Sequence, residues 1–381
     1  MPMELTVQIR TGGYTGTPSD LAQVLDDVRN VFTRLPVNRV IIGWALLPEI
    51  YQQVASLVHD NGAELYLWLP VFSENGLLRD CSPVVGLGGQ QAQPFELDDT
   101  ESFDFYCPNT PANQNALLSI YDEYFAGIGF DGVFLDKIRY PSLASGVDSG
   151  LGCFCPRCQD TYSEAGIDID ALQSRISALP YLETPFGISG YQTGRYTFTD
   201  SVWDAFFSLR QSIVSVALRD QCTALRQLGL KIGLDVFAPF LSQFVGQDIA
   251  LLSQLADFVK PMMYSTTLAP AGLPFETAAL LRATGMEDDP QPYYRIIGYD
   301  LSMQPFDLYF CAREIDGLHK SCICPVHPGI EINKMPGVAP TTPEYISRCL
   351  EVYADSPGLV LSWNLLDMPP EHLDAVAAGL R

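Results

Sequence analysis

The chain alternates between short apolar runs and longer amphipathic segments almost from end to end. The apolar runs have the length of buried strands. The predicted strands are Leu5–Arg10, Arg39–Trp44, Glu64–Pro70, Asp131–Asp136, Lys231–Val236, Phe258–Tyr264, His327–Ile332 and Leu359–Trp363. The predicted helices lie between them, at 19–34, 47–60, 111–128, 203–228, 246–256, 274–284, 343–354 and 370–380. Eight strands that alternate with eight helices predict a parallel sheet that closes into an α/β (β/α)8 TIM barrel.

Three connections in this pattern are too long to be simple turns. They follow predicted strands 3, 4 and 6 and cover residues 71–110, 137–200 and 265–325. Long loops inside a compact domain usually carry function. The sequence contains no repeat or convincing linker, so we expect residues 1–381 to form one barrel domain. An insertion at about 137–200 should contain a small helix near Ile167–Leu179.

The charge of the chain narrows its expected partners. There are 45 acidic and 22 basic residues, a formal net charge of −23, which repels nucleic acids and anionic membranes. No run of 18 apolar residues occurs, so no membrane-spanning helix is expected. The start, Met1–Glu4, lacks the basic and apolar regions of a secretory signal. We therefore expect a cytoplasmic protein, with a trimmed secreted form as the alternative.

Four of the ten cysteines have metal-ligand spacing. Cys153, Cys155 and Cys158 form a C-x-C-x-x-C turn, and Cys107 precedes them by some 45 residues. Such a turn presents three sulfurs to one ion, and a fourth sulfur completes a closed tetrahedral zinc site with a structural role. A disulfide or free thiols are the alternatives. A third hypothesis makes the zinc catalytic, with one cysteine as nucleophile.

The carboxyl ends of the predicted strands carry residues typical of a sugar-binding site. In a TIM barrel these ends build the active site. The residues at the predicted strand ends are Arg10, Trp44, Trp68, Asp136, Asp235, Lys260, Tyr264, Glu331, Trp363 and Asn364. Lys137, Arg139 and Tyr140 lie just after Asp136 and are expected in the same site. Carboxylates supply the acid, base or nucleophile of glycoside cleavage. Tryptophan rings pack on sugar faces, while lysine, arginine and asparagine bind hydroxyl groups.

Two groups of segments resemble known protein families. The segments Cys107–Pro111 and Cys153–Cys158 resemble the zinc cluster of the family 42 β-galactosidases, which are (β/α)8 barrels of a retaining glycoside hydrolase clan. The segments Phe130–Pro141, Leu234–Ala238 and Asp257–Tyr264 are similar to uncharacterised glycosyl-hydrolase-like barrels of bacteria. Family 42 carries an Asn-Glu pair after strand 4, whereas this chain has Leu-Asp-Lys. The resemblance therefore implies fold, zinc and a sugar-cleaving class, without implying β-galactosidase activity.

Three acids are candidates for catalysis. Strands 4 and 7 face each other in the clan, which implies Asp136 as general acid/base and Glu331 as nucleophile, with Asp235 orienting the substrate. A swapped assignment, with Asp136 as nucleophile and Asp235 or Glu331 as acid, fits almost as well. The structural alternatives are a turn cap for Asp136, an ion pair inside the barrel for Glu331 and pairing with Lys260 for Asp235.

The sequence thus predicts a two-carboxylate, retaining glycoside hydrolase. Its expected partner is an oligosaccharide or glycoconjugate substrate. The sequence is also compatible with a homo-oligomer. The alternative is a barrel that binds carbohydrate without cleaving it, in which the carboxylates only bind hydroxyl groups.

Overall fold

The computed structural model describes residues 3–13, 17–73, 81–92, 95–98, 101–299 and 306–380. Its core is a barrel of eight parallel strands. They are β1 (Glu4–Arg10), β2 (Val37–Gly43), β3 (Glu64–Pro70), β4 (Gly132–Asp136), β5 (Lys231–Val236), β6 (Phe258–Pro261), β7 (Gly329–Glu331) and β8 (Gly358–Ser362). Except for β6 and β7, each strand pairs with the next in sequence, and β8 pairs with β1. Two isolated parallel bridges, Val259–Val326 and Met262–Gly329, join β6 to β7 and nearly close the circle.

The helices of the outer ring follow the strands. They are α1 (Leu21–Arg34), α2 (Pro48–Asp60), α3 (Pro111–Ile120), α4 (Ser201–Gln227), α5 (Ile249–Leu252), α6 (Leu308–Ser321), α7 (Pro343–Val352) and α8 (Pro370–Gly379). Several begin at a side-chain cap, as at Asp200, whose carboxylate accepts a hydrogen bond from a first-turn amide. The predicted α/β TIM barrel and its eight strands are confirmed.

One outer helix was missed by the sequence pattern. The predicted helix at 274–284 exists as Leu273–Ala283, but it packs on the loop after β4. The helix that lies between α5 and α7 is instead α6, inside the segment predicted to be a loop. Its buried positions Leu308, Cys311, Ile315 and Leu318 have helical spacing. The proline- and aromatic-rich stretch before it hid this signal.

The long connections contain short elements of their own. After β3, a small hairpin pairs Phe95–Asp98 with Glu101–Phe103. After β4, the connection contains helices at Val147–Gly150, Pro156–Glu164 and Ile169–Ser177, followed by a hairpin of Ile188–Gln192 and Arg195–Phe198. The predicted small helix near 167–179 is thus confirmed. Further short helices lie at Pro239–Ser242 and Gln291–Ile296.

The barrel interior is layered from bottom to top. At the amino-terminal end, the Arg39 guanidinium lies over the rings of Tyr66 and Phe258, 4.8 and 4.5 Å from their centroids. Phe134 stacks on Phe258 one layer higher, at 5.9 Å. Above them lies the buried ammonium of Lys260, so the interior becomes polar toward the carboxyl ends of the strands. Among the described residues, no helix has both the length and the apolar character that a membrane crossing requires.

Candidate active site and cysteine cluster

A cleft opens at the carboxyl ends of the strands, where the active sites of TIM barrels lie. Together with its open mouth it encloses about 620 Å³. Eight residues that the sequence places in the site line it: Arg10, Trp68, Asp136, Lys137, Arg139, Asp235, Tyr264 and Trp363. The remaining lining comes from Phe103, Met262, Thr267, Ala269, Pro270 and Ala271. The predicted site residues Trp44, Tyr140, Lys260, Glu331 and Asn364 are not part of this lining.

Asp136 ends β4 and is partly exposed to the cleft. The indole Nε1 of Trp68 donates to its Oδ2 at 2.9 Å, and the backbone amide of Lys137 donates to its Oδ1 at 2.5 Å. Lys137 has a φ of 52°, so the chain turns sharply directly after the carboxylate. Two donors on two oxygens suit an ionised carboxylate that is held in one orientation.

Asp235 lies in a different environment at the end of β5. Its side chain is 2% exposed, and its Oδ2 accepts a hydrogen bond from Lys260 Nζ at 3.0 Å. Its Oδ1 is buried and has no hydrogen-bond partner among the described residues. Burial raises the pKa of Asp235 to about 8; the charge of Lys260 opposes this shift and the charge of Asp136 adds to it. Burial thus favours the neutral form of this carboxyl group, against the opposing charge of Lys260.

Lys260 supports the cleft from below. It is opposite Asp235 in the β5–β6 register, and its side chain is fully buried. Besides Asp235, its ammonium donates to the hydroxyl of Tyr264 at 2.5 Å and to Oε1 of Gln8 at 3.4 Å. The three contacts use all three protons of the ammonium group. Lys260 thus holds one oxygen of Asp235 and leaves the other without a protein partner among the described residues.

Glu331 lies behind the wall of the cleft. It is fully buried at the end of β7, and both oxygens accept hydrogen bonds. Its Oε1 accepts from the amide and hydroxyl groups of Thr266 and Thr267 at 2.8–3.4 Å, and its Oε2 accepts from the Tyr345 hydroxyl at 2.5 Å. Burial raises the pKa of Glu331, and these hydrogen bonds oppose the shift. Its predicted role as nucleophile stays a prediction, because the side chain contacts the wall and is not part of the cleft lining.

The segment that Glu331 holds forms one wall of the cleft. Residues 265–272 follow β6, and four of them line the cleft. A second buried acid, Glu276, accepts a hydrogen bond from the amide of Ala271 at 2.9 Å. The wall is thus fixed at both ends by buried carboxyl groups. Sequence reasoning missed Glu276 and the wall, because they lie in a connection without strand or repeat pattern.

Three other predicted site residues are buried behind the lining. The ring of Trp44 meets the ring of Trp68 edge-on, with centroids 5.0 Å apart. Asn364 accepts the amide hydrogen of Arg10 at 2.9 Å. Tyr140 is fully buried, and its ring lies 4.2 Å from the guanidinium carbon of Arg210. Trp44 and Asn364 therefore position residues that line the cleft, whereas Tyr140 belongs to the region of the cysteine cluster.

The two cations that follow Asp136 reach the cleft between aromatic rings. The ammonium of Lys137 lies 4.6 Å from the ring of Trp44 and 4.3 Å from that of Phe103. The guanidinium of Arg139 lies 4.6 Å from the ring of Phe105 and donates to the backbone oxygen of Tyr140 at 3.0 Å. Rings on both sides hold long, otherwise flexible side chains in place.

The four predicted metal ligands come together in one cluster. The sulfur atoms of Cys107, Cys153, Cys155 and Cys158 all lie within 4.8 Å of one another, and none of these cysteines forms a disulfide. Cys107 Sγ is 3.5 Å from Cys158 Sγ and 3.9 Å from Cys155 Sγ. A tetrahedron with metal–sulfur bonds of about 2.3 Å has edges of about 3.8 Å. The cluster therefore has the dimensions of a four-sulfur metal site, and none of its cysteines lines the cleft.

The cluster joins the loops after β3 and β4. The amide of Val85 donates to Cys153 Sγ at 3.3 Å, and the amide of Phe154 donates to the backbone oxygen of Val85 at 2.7 Å. Asn113 donates to the backbone oxygen of Cys107 at 3.0 Å. These contacts hold Cys153 Sγ and the backbone around Cys107 and Cys153 in place, as outer hydrogen bonds do in metal sites.

Comparison with known proteins supports the fold. No protein-family model matches the chain, and no curated protein matches it. Among solved structures, the spore cortex-lytic enzyme SleL of Bacillus megaterium is similar with a TM-score of 0.50 and 8% identity, over 99% of this chain and 74% of that one. The α-L-fucosidase isoenzyme 2 of Paenibacillus thiaminolyticus has a TM-score of 0.52 and 10% identity, over 100% of this chain and 49% of that one. At such identities the likeness shows the barrel fold alone, and the resemblance to family 42 gains no support.

Proposed function

We propose that the protein is a glycoside hydrolase that acts on an oligosaccharide or glycoconjugate through Asp136 and Asp235. The observation that carries the proposal is the contrast between these two carboxyl groups in one cleft. Asp235 is buried and its pKa is raised to about 8, whereas Asp136 accepts two hydrogen bonds and is partly exposed. Glycosidases need one protonated and one ionised carboxyl group at the scissile bond.

The proposed roles follow from these environments. Asp235 donates its proton to the glycosidic oxygen, and Asp136 stabilises or attacks the positively charged sugar ring that forms as the bond breaks. This is the swapped form of the assignment from sequence. With Asp136 as nucleophile the reaction retains the anomeric configuration, which NMR of the first product measures. Trp68, Trp363 and Phe103 offer ring faces to the sugar, and Arg10, Lys137, Arg139 and Tyr264 offer hydrogen-bond donors.

The named functions of the two similar barrels agree with a glycan substrate. One is a fucosidase and the other a spore cortex-lytic enzyme. They contribute only the expectation that this fold supports such chemistry, since function depends on the site and not on the fold.

Turnover of a glycan panel tests the proposal. The protein is assayed on aryl glycosides and natural oligosaccharides, and D136N and D235N are compared on each substrate that the wild type cleaves. Loss of turnover in both variants, at unchanged melting temperature, supports the two-carboxylate mechanism. Glycan binding without turnover in the wild type would instead support a non-catalytic carbohydrate-binding barrel. Wild-type turnover in both variants would refute the assignment of the two acids.

We also propose that the cysteine cluster binds a structural zinc ion. Four soft sulfur ligands in a closed tetrahedron select zinc and leave no position for water or substrate. The ion would hold the loops after β3 and β4 together beside the cleft. Elemental analysis of the purified protein should give about one zinc per chain, and the double variant C155S/C158S should lose it. A metal-free wild type that stays metal-free after incubation with zinc would refute this proposal.

A further inference from the structure

One buried cation, Arg210, lies against the turn of the cysteine cluster, and none of the described carboxylates pairs with it. Arg210 comes from the middle of α4, and its side chain is fully buried. Its two terminal nitrogens donate to the backbone oxygens of Gly152 and Gly150 at 2.7 and 2.9 Å. Gly152 directly precedes Cys153, so the guanidinium is attached to the turn that presents the sulfurs.

The turn itself is tightly packed at this point. A Cβ atom on Gly152 would come within 2.7 Å of the Val84 side chain and 2.9 Å of the Val85 backbone oxygen. A Cβ atom on Gly150 would come within 2.9 Å of the Leu143 backbone. Only glycine fits at both positions without displacing these neighbours.

The charge of Arg210 is not balanced by any carboxylate among the described residues. Its ring contacts are Tyr140 and Phe206, at 4.2 and 5.2 Å from the guanidinium carbon. Carbonyl groups and rings satisfy part of its hydrogen-bonding and electrostatic needs, but an uncompensated buried charge is strongly unfavourable. The turn that it contacts leads directly into Cys153, so the sulfur cluster is the candidate source of negative charge.

The charge of the cluster depends on what it holds. Four neutral thiols or two disulfides carry no charge and would leave Arg210 alone in the interior. Four thiolates around a divalent cation carry a net charge of −2, because coordination deprotonates the thiols. Arg210 would then reduce the net charge of the buried assembly to −1.

We propose that Arg210 is the buried counter-charge of a divalent metal–tetrathiolate centre, and that it stabilises the bound metal through the turn at Gly150–Cys153. The inference rests on the proposed metal centre and is independent of the glycosidase proposal. It also explains why a cation is tolerated at a site where the described residues offer no acid.

Zinc affinity of Arg210 variants tests the proposal. The zinc content of the wild type is first established by elemental analysis, and affinity is then measured by competition with a chromogenic chelator at fixed pH and salt. R210M removes the charge and keeps most of the volume, and it should bind zinc about 10–100-fold more weakly, as loss of an outer partner usually does. R210K keeps the charge and should fall between R210M and the wild type. R219M, at an exposed position of the same helix, is the matched control and should bind as the wild type does.

A double-mutant comparison covers the case in which R210M folds poorly. The change in melting temperature caused by R210M is measured in the wild type and in C155S/C158S, which cannot form the centre. A loss of stability that is larger in the wild-type background supports the proposal, because only there does the arginine face thiolates. Equal losses in both backgrounds, or wild-type zinc affinity in R210M, would overturn it. A wild-type protein that binds no zinc would refute the metal centre itself, whatever the outcome for glycan cleavage.

Discussion

The ends of β5 and β7 have the same pattern of residue types, a glycine, an aliphatic residue, an acid and a second aliphatic residue, but different surroundings. β5 carries Gly-Leu-Asp-Val with Asp235, and β7 leads into Gly-Ile-Glu-Ile with Glu331. Both acids are buried at the carboxyl end of a barrel strand. Asp235 lines the cleft with one oxygen lacking a partner among the described residues, whereas both oxygens of Glu331 accept hydrogen bonds from the cleft wall and α7. The local pattern therefore identifies a buried acid without identifying its role.

The neighbouring segments make the difference. Asp235 is paired with one residue of the adjacent strand, Lys260, which contacts a single oxygen. Glu331 faces Thr266 and Thr267 after β6 and Tyr345 on α7, and these supply five donors. A carboxylate with all its acceptor sites filled stabilises its surroundings, whereas one with an open site can bind or protonate a substrate.

The largest expected effect is on turnover. We expect D235N to lower kcat by about 10²- to 10⁴-fold, because an amide cannot donate the proton that a general acid supplies. E331Q should lower kcat far less, since glutamine keeps one acceptor oxygen for the wall. Both are measured on the best substrate of the glycan panel, with the melting temperature as a check on folding. If E331Q lost activity like D235N at unchanged stability, the comparison would be reversed and Glu331 would be the better nucleophile candidate.

The second effect concerns stability, and here we expect substitution of Glu331 to have the larger effect and substitution of Asp235 the smaller one. E331A leaves the amide and hydroxyl donors of the wall without an acceptor, at about 1–3 kcal/mol for each buried group left unsatisfied. We expect its free energy of unfolding in urea to fall by several such increments, and KM to rise as the wall loosens. D235N should change the free energy of unfolding much less, because the side-chain oxygen of asparagine can still accept the hydrogen bond of Lys260. An equal fall in the free energy of unfolding in D235N and E331A would show that both acids contribute equally to the stability of the fold.

The third effect is on the pH profile. The acid form of Asp235 is present below its raised pKa of about 8 and is lost as pH rises through that value. Turnover should therefore fall on the alkaline side near pH 8. K260M removes a positive charge that lowers the pKa of Asp235, so its alkaline limb should move to higher pH. E331Q should leave the limb in place; an unmoved limb in K260M would argue against Asp235 as the titrating acid.

The smallest effects come from single donors. W68F removes the indole hydrogen bond to Asp136 and should lower kcat by a few-fold with little change in stability. Y345F removes one donor to Glu331 and should lower the free energy of unfolding by about 1 kcal/mol with little change in kcat. A loss of stability in W68F together with a loss of kcat in Y345F would contradict the view that Asp136 serves the reaction and Glu331 serves the fold.

Regular patterns were readable from the sequence alone. All eight strands were predicted, because each is a short apolar run that must be buried on both faces. The cysteine cluster was predicted as well, because three of its members sit in one turn and their spacing already fixes their geometry. The helix α6 was missed, since its periodicity is short and follows an irregular segment.

Features that depend on local interactions were predictable from the sequence, whereas features that depend on contacts between distant segments were not. The sequence by itself determined the barrel, the edge of it on which the acids lie and the four cysteines, since strand burial and turn spacing are local properties of the chain. Tertiary structure alone decided which acids open to the cleft, because the partners of Asp235 and Glu331 come from other strands, loops and helices. It also brought Arg210 from α4 to the cysteine turn, more than fifty residues earlier in the chain. A carboxyl group acquires its role from the donors around it, and folding alone supplies those donors.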